Sequence, residues 1–257
     1  MLEKLKLLIH GATEKMGITF YRIRKPVEVQ PLQYNQQHLD IERILNKPNP
    51  VILDIGANSG QTINGFKAKF PESTIYAFEP GIETFNRLEQ LYRDTANVHL
   101  YNIALGSEKS RLTFHDNEHS VMSSFLENGT KIHFGEVIGT REIELTTVDD
   151  FCMTHNISKI DVLKIDTQGF DLEVLKGAIG ILPNISIILT EITIYPLYEN
   201  LPEFDEVLKY LRENGFKFAK LYDANYRNEV LAWADFMFVN NKLVSWSQYC
   251  DKSVANK

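Results

Sequence analysis

The chain has 257 residues, 44% of them hydrophobic, and its 34 acidic and 27 basic side chains leave a formal net charge of −7. This size and apolar content suit one large domain, or one domain with a short appendage. The negative balance argues against general nucleic-acid binding, which requires a basic face. No apolar run is long enough to span a membrane, and the first ten residues lack the apolar core of a signal peptide.

The two cysteines, Cys152 and Cys250, form neither a CxxC pair nor a zinc-binding pattern. Two structural cysteines of a secreted protein remain an alternative, but reduced thiols are expected. We therefore expect a soluble, cytoplasmic protein.

Residues 1–50 are punctuated by four prolines and have two stretches of helical spacing, the second of which can be capped by Asn35. We expect an N-terminal helical cap packed on the main domain. A substrate lid, a dimer contact that would make a homo-oligomer, and a membrane-surface helix are the alternatives.

From residue 51 the pattern alternates between strands and helices, which predicts an α/β fold with a mostly parallel sheet and helices on both faces. Strands are predicted at residues 51–55, 74–78, 98–103, 161–165, 185–192, 216–221 and 234–239. Helices are predicted at residues 61–70, 83–93, 151–155, 172–178 and 203–214.

Residues 106–146 interrupt this alternation. Their segments 111–115 and 142–146 alternate apolar and polar residues, as in a hairpin. The insertion would lie near the carboxyl edge of the sheet, where open α/β folds bind ligands. We therefore expect a main domain over residues 51–245 that contains this insertion, followed by a tail at residues 246–257.

The most informative stretch, VILDIGANSG at residues 51–60, predicts a buried strand, a tight turn and the start of a helix. Gly56 permits the turn and lets backbone N–H groups approach a nucleotide-like cofactor, while Asn58 and Gln61 can add amide contacts. Asp54 would repel a pyrophosphate but attract an amino group, as in S-adenosylmethionine. The G-x-G-x-x-G fingerprint is absent, which argues against a nicotinamide-dependent oxidoreductase, kept as the alternative.

Two further strand ends extend this predicted cofactor site. Glu79, followed by Pro80, ends the second strand, where an acid can bind the two hydroxyls of a ribose. Capping of the next helix is the alternative role for Glu79. After the third strand, small and apolar residues such as Ala104 could flank an adenine ring, with Asn102 near the edge of the ring.

Charged residues also occur in two strands that are expected to be buried. Lys164 and Asp166 alternate with apolar residues, and Glu191 follows another apolar run. Buried charges are costly unless paired, so these residues need partners. Asp166 and Glu191 could face one pocket and act as a general base or hold Mg²⁺. A Lys164–carboxylate pair that only locks the sheet is the alternative.

In their order and spacing, these motifs resemble the FkbM family of S-adenosylmethionine-dependent methyltransferases over about residues 51–240. The matching segments are ILDIGANSGQ at 52–61, AFEP at 77–80, NIAL at 102–105, LTTVDDF at 145–151, LKIDTQG at 163–169 and LKGA at 175–178. The resemblance implies a Rossmann-like, seven-stranded class I methyltransferase fold with one antiparallel strand. It also implies cofactor contacts at Asp54, Gly56, Asn58, Gly60, Glu79 and Asn102.

The family usually methylates oxygen on sugars or secondary metabolites, so the resemblance implies a small-molecule or glycan acceptor. We expect Asp166 near the reacting centre, with Glu191 and Lys164 shaping its charge. One departure from the family pattern is Gln168, where the family commonly has Glu. Gln is neither a base nor a strong cation ligand, so this position is not expected to act in catalysis or metal binding here. A non-catalytic, partner-binding module on a methyltransferase fold is the remaining alternative.

Overall fold

The computed structural model describes residues 35–129 and 135–244. The described helices are α1 (Gln36–Leu45), α2 (Gln61–Lys69), α3 (Ile82–Tyr92), α4 (Val148–Thr154), α5 (Asp171–Lys176) and α6 (Phe204–Glu213). The described strands are β1 (Val51–Ile55), β2 (Thr74–Phe78), β3 (Val98–Tyr101), β4 (Ala104–Leu105), β5 (Ser110–Asn117), β6 (Val137–Thr146), β7 (Ile160–Ile165), β8 (Ile185–Thr193), β9 (Phe216–Arg227) and β10 (Val230–Asn240). Two short 3₁₀ helices lie at Ser120–Met122 and Leu182–Asn184.

A seven-stranded sheet forms the centre of the molecule, in the order β3-β2-β1-β7-β8-β10-β9. In this order, the first five strands, from β3 to β8, pair in parallel. Strand β10 is antiparallel to both of its neighbours, β8 and β9. This topology confirms the predicted mostly parallel α/β fold and the single antiparallel strand implied by the family resemblance.

The central strands are apolar on both faces because each face is covered. Neighbouring residues of β1, such as Ile52 and Leu53, are both fully buried but belong to different hydrophobic clusters. Val162 and Leu163 repeat this division on β7. Burial on both faces accounts for the continuous apolar runs in these strands. It also brings the carboxyl ends of β1, β2, β7 and β8 to one edge, where polar side chains can collect.

Helix α1 packs on this domain. The Asn35 side chain accepts a hydrogen bond from the backbone N–H of Gln37, as predicted for an N-cap. Ile41 is fully buried in the same hydrophobic cluster as Phe66 of α2. The first part of the predicted cap, residues 1–34, and the predicted tail lie outside the described residues. No helix within residues 35–129 and 135–244 has the length and apolarity that crossing a membrane requires.

The segment after β3 forms a second, three-stranded sheet in the order β4-β6-β5. Strands β5 and β6 are antiparallel, in agreement with the predicted hairpin, and β4 pairs with β6 in parallel. The prediction of one strand over residues 98–103 was wrong at its end, because β3 stops at Tyr101 and the chain then turns into the second sheet at Ala104. The last two strands, β9 and β10, are longer than predicted.

Candidate functional site

A cavity of about 800 Å³ lies at the carboxyl ends of β1, β2, β7 and β8. This volume is in the range of small-molecule sites. The predicted site residues that line it are Gly56, Asn58, Gln61, Glu79, Pro80, Ala104, Lys164, Asp166 and Glu191. Three other predicted contacts, Asp54, Gly60 and Asn102, are not part of this lining.

The turn after β1 brings the cavity wall against the end of β7. Gly56 has a φ of +86°, and a Cβ atom there would lie 1.9 Å from the backbone oxygen of Asp166. Its N–H donates to the Phe78 carbonyl at 3.0 Å. Gly60, with a φ of +87°, packs instead against the ring of Tyr92. Gly56 is therefore required by the close approach of two backbones, and Gly60 by the packing of a side chain.

Glu79 joins two turns at the cavity wall. Its Oε1 accepts from the N–H of Gly81 at 2.7 Å, and its Oε2 accepts from the N–H of Asn58 at 3.0 Å. Burial raises the pKa of Glu79 to about 7, against the effect of these two donors. The Asn102 side chain donates to the carbonyls of Glu79 and Pro80 at 2.8 and 3.1 Å. Asn102 thus secures the backbone that carries Glu79.

Asp54 is fully buried on β1, opposite Lys164 of β7. Neither of its carboxylate oxygens has a well-aligned hydrogen-bond partner among the described residues, although the side chain of Thr62 lies beside it. Burial raises the pKa of Asp54 to about 7, and the positive charge of Lys164 opposes this rise. Because Asp54 is buried and outside the cavity lining, it can affect a ligand there only through its charge.

Lys164 is paired, as a buried charge must be. Its Nζ donates to Oδ1 of Asp235 at 2.7 Å and lies 3.8 Å from Oδ2 of Asp166. Burial acts to lower the pKa of Lys164, but the carboxylates of Asp235 and Asp166 outweigh it and hold this pKa above its usual value. Sequence reasoning missed Asp235, although an acid inside the apolar strand β10 is the same signal that identified Lys164.

Gln168 connects the two acids predicted to share a pocket. Its Nε2 donates to Oδ1 of Asp166 at 2.9 Å and to Oε1 of Glu191 at 3.0 Å. Its Oε1 accepts from the Tyr198 hydroxyl at 2.9 Å. Burial raises the pKa of Glu191, and the charge of Asp166 raises it further. We refer to Asp166, Gln168, Glu191 and Tyr198 as the amide clamp.

The described residues give the magnesium prediction no support. They contain no group of three or more His, Cys, Asp or Glu side chains placed to hold a metal ion. Asp166 and Glu191 share the amide of Gln168 instead.

The second sheet covers part of the cavity. Phe114 of β5 and Arg141 of β6 line it, and Arg141 forms an ion pair with Asp116. The loop that follows β5 is fastened to the amide clamp, because Ser124 donates through Oγ to the carbonyl of Gln168 at 2.8 Å. The insertion and the ends of β7 and β8 therefore form one continuous site.

Comparisons with known proteins agree with this geometry. Residues 54–218 match the family model described as the methyltransferase FkbM domain. The 2-O-methyltransferase NoeI of Sinorhizobium fredii is 28% identical over 211 residues, which cover 74% of this chain and 84% of that protein. The hexuronic acid methyltransferase AglP of Haloferax volcanii is 29% identical over 157 residues, which cover 60% and 61% of the two chains.

Among solved structures, the fibrillarin of Methanococcus jannaschii is similar, with a TM-score of 0.47, 13% identity and 86% of each chain covered. The family match extends over more than half of the chain and includes Asp54, Glu79, Asp166 and Glu191. A methyltransferase is thereby favoured over the nicotinamide-dependent oxidoreductase that the sequence left open. The chain belongs to the FkbM methyltransferase domain family.

Proposed function

We propose that this protein uses S-adenosylmethionine to methylate a hydroxyl oxygen of a sugar or a sugar-bearing acceptor. The observation that carries this proposal is the amide clamp, which holds the Asp166 carboxylate in the same cavity as the buried Glu79. Two relatives support the acceptor class, since one is named a 2-O-methyltransferase and the other a hexuronic acid methyltransferase.

The lining residues fit this cofactor. Each oxygen of Glu79 accepts one backbone hydrogen bond and keeps acceptor capacity for a ribose hydroxyl. Ala104 and Leu105 offer an apolar wall for an adenine ring. The turn from Gly56 to Asn58 would hold the amino-acid end, with Asp54 acting through its charge. Asn102 is assigned a supporting role, through the carbonyls of Glu79 and Pro80.

When bound, S-adenosylmethionine supplies a methyl group on a sulfonium, and the carbon–sulfur bond breaks with its electron pair left on sulfur as carbon bonds to the acceptor oxygen. The hydroxyl proton must then be taken up by a side chain of this protein. Asp166 is placed to accept it, since it lines the cavity and its side chain is 35% exposed.

The environment of Glu191 favours Asp166 as the base. Burial and the charge of Asp166 raise the pKa of Glu191, so Glu191 keeps its proton over a wider pH range. Glu191 is therefore the less suitable base, and we assign the role to Asp166. The Gln168 amide donates to Oδ1 of Asp166, and the Lys164 ammonium lies 3.8 Å from Oδ2 of Asp166.

The substitution Asp166→Asn tests this role because it keeps the shape of the side chain and removes the base. We expect methyl transfer from labelled S-adenosylmethionine to fall at least about 100-fold. Affinity for S-adenosylhomocysteine, measured by calorimetry, should stay within about threefold, because the base is needed in the transition state rather than for cofactor binding.

Asp94→Asn is the matched control, since the Asp94 side chain is 93% exposed and outside the cavity lining. Unchanged turnover in Asp166→Asn would show that Asp166 is not the base. Absence of cofactor binding to the unaltered protein would contradict the proposed function itself.

A further inference from the structure

The charged side chains at the end of the cavity formed by β7, β8, β9 and β10 are mainly acidic. Among the residues that the structure describes, this end is lined by Asp166, Glu191, Asp223 and Asp235, against the single ammonium of Lys164. We call these five residues the acidic wall. They lie on, or directly after, four strands that are neighbours in the sheet.

The one cation of the acidic wall is not available to a ligand. The Lys164 side chain is only 7% exposed, and its Nζ is engaged by Asp235 at 2.7 Å and by Asp166 at 3.8 Å. The other oxygen of Asp235 lies 3.5 Å from the Gln37 amide of α1, so both sides of that carboxylate are held. A negatively charged group entering here would find no free cation in the acidic wall.

The acidic wall stays negative even when one proton is shared within it. If Glu191 carries a proton, the three acidic side chains of Asp166, Asp223 and Asp235 still outnumber the one basic side chain, Lys164, in formal charge. The two arginines of the cavity lining lie on other elements, Arg87 on α3 and Arg141 on β6. Arg141 already acts on Asp116 and Glu79, at the other side of the site.

The chemistry of the acceptor leads to the same conclusion. A hydroxyl acceptor has a proton to lose, and the clamped Asp166 is placed to take it. A carboxylate acceptor at neutral pH has no such proton, so it would gain nothing from Asp166 and would be repelled by its charge. Uncharged sugar hydroxyls, in contrast, can donate hydrogen bonds to the carboxylates of the acidic wall.

We propose that the acidic wall selects an uncharged sugar hydroxyl as the methyl acceptor and rejects hexuronic acids and other anionic sugars. This inference rests on the proposed function and narrows it. If it holds, this chain and its relative named a hexuronic acid methyltransferase act on acceptors of different charge.

The test compares matched pairs of sugars that differ only at one carbon: the methyl glycosides of glucose, galactose and mannose, and those of the corresponding hexuronic acids. Binding to the protein saturated with S-adenosylhomocysteine is measured by saturation-transfer NMR, and methyl transfer is measured with labelled S-adenosylmethionine. In at least one pair the neutral sugar should bind at least about tenfold more tightly than its acid. The difference should shrink in about 0.5 M salt, because salt screens the repulsion.

A charge-neutralising variant tests the cause. Asp223 is exposed, lines the cavity and has a φ of +48°, a conformation that Asn also adopts. Asp223→Asn should therefore fold normally and reduce the preference for the neutral sugar about two- to threefold. Asp94→Asn removes the same charge away from the cavity and should leave the preference unchanged.

The inference would be overturned if, in every pair that binds, the hexuronic acid bound as tightly as the neutral sugar. It would also be overturned if none of the six sugars bound. The proposed function fails separately, if the unaltered protein does not bind S-adenosylhomocysteine. Equal effects of Asp223→Asn and Asp94→Asn would also count against the acidic wall as the source of selectivity.

Discussion

At the scale of single residues, Gln168 shows why an amide can replace an acid. Its Nε2 donates to both Asp166 and Glu191, while its Oε1 accepts from Tyr198. An ionised glutamate could accept from Tyr198 but has no hydrogen to donate to the other two acids. The departure from the family pattern is therefore compatible with an ordered site, because the amide separates two carboxylates that would otherwise repel.

Gln168→Glu should lower methyl transfer at pH 8, because it places a third carboxylate beside Asp166 and Glu191. The loss should be at least about tenfold and should diminish toward pH 6, where a protonated Glu at this position can again donate one hydrogen bond. The measurement is the pH dependence of the variant's rate relative to the unaltered enzyme.

Gln90→Glu adds the same charge on the exposed side of α3 and is the control. A rate ratio for Gln168→Glu that is independent of pH would indicate that the amide only fills space. Stimulation of Gln168→Glu by added magnesium would show that three carboxylates form a cation site, which the two carboxylates and the amide of the unaltered protein do not.

At the scale of elements, the strand cores were predictable, but the turn between β9 and β10 was not. β1 and β2 have the predicted bounds because their apolar runs are short and bounded by turn residues. The turn between β9 and β10 uses Asn228 and Glu229 at φ values of +48° and +66°. Hairpin turns of this kind are usually signalled by Asn-Gly or Asp-Gly. Without that glycine, the pattern gave no reason to extend the two strands toward each other.

One buried hydroxyl contributes to the attachment of the insertion. Ser124 is 1% exposed; its Oγ donates to the Gln168 carbonyl and accepts from the N–H of Leu126 at 3.0 Å. Ser124→Ala should destabilise the protein by about 1 kcal/mol, because two partly buried backbone groups lose their partner. Hydrogen exchange of residues 110–126 should quicken more than that of β7 and β8.

Ser110→Ala is the control, since the Ser110 hydroxyl bonds only to the exposed carbonyl of Glu108. Equal protection of residues 110–126 in both variants would mean that the second sheet is held by its apolar contacts rather than by Ser124.

At the scale of the whole molecule, long-range pairing limits what sequence alone can predict. Lys164, Asp166 and Glu191 were recognisable as charges in apolar strands. The main partner of Lys164 is Asp235, 71 residues further along the chain. This pair forms only because β10 inserts between β8 and β9, and the order of strands is set by packing of the complete sheet rather than by any local signal.

Stability should depend on pH through Asp54. Its pKa in the folded protein, about 7, lies above the ordinary value of 3.8, so the folded protein keeps a proton that the unfolded chain loses between these values. This contribution to stability is present at low pH and is lost as the pH rises through 7. Between pH 5 and 8, the unaltered protein should lose about 2–3 kcal/mol more stability than Asp54→Asn.

Urea unfolding of both proteins at each pH gives this difference directly. The raised pKa of Asp171 and the lowered pKa of buried His38 affect both proteins alike and cancel, whereas Glu79, whose charge raises the pKa of Asp54, is part of the measured difference. Parallel stability curves for the two proteins would exclude Asp54 as the source of the pH dependence.

The backbone contact between Gly56 and Asp166 has a consequence for anyone who wishes to re-engineer this enzyme. Because a Cβ atom at position 56 would overlap the Asp166 carbonyl, the turn proposed to face the methyl donor and the strand end that carries the proposed base cannot be altered independently. A mutant library aimed at a new methyl donor would also disturb the base if it varied this turn. Variation of Ala104 and Leu105, across the cavity, offers a way to change donor preference while leaving the reacting geometry in place.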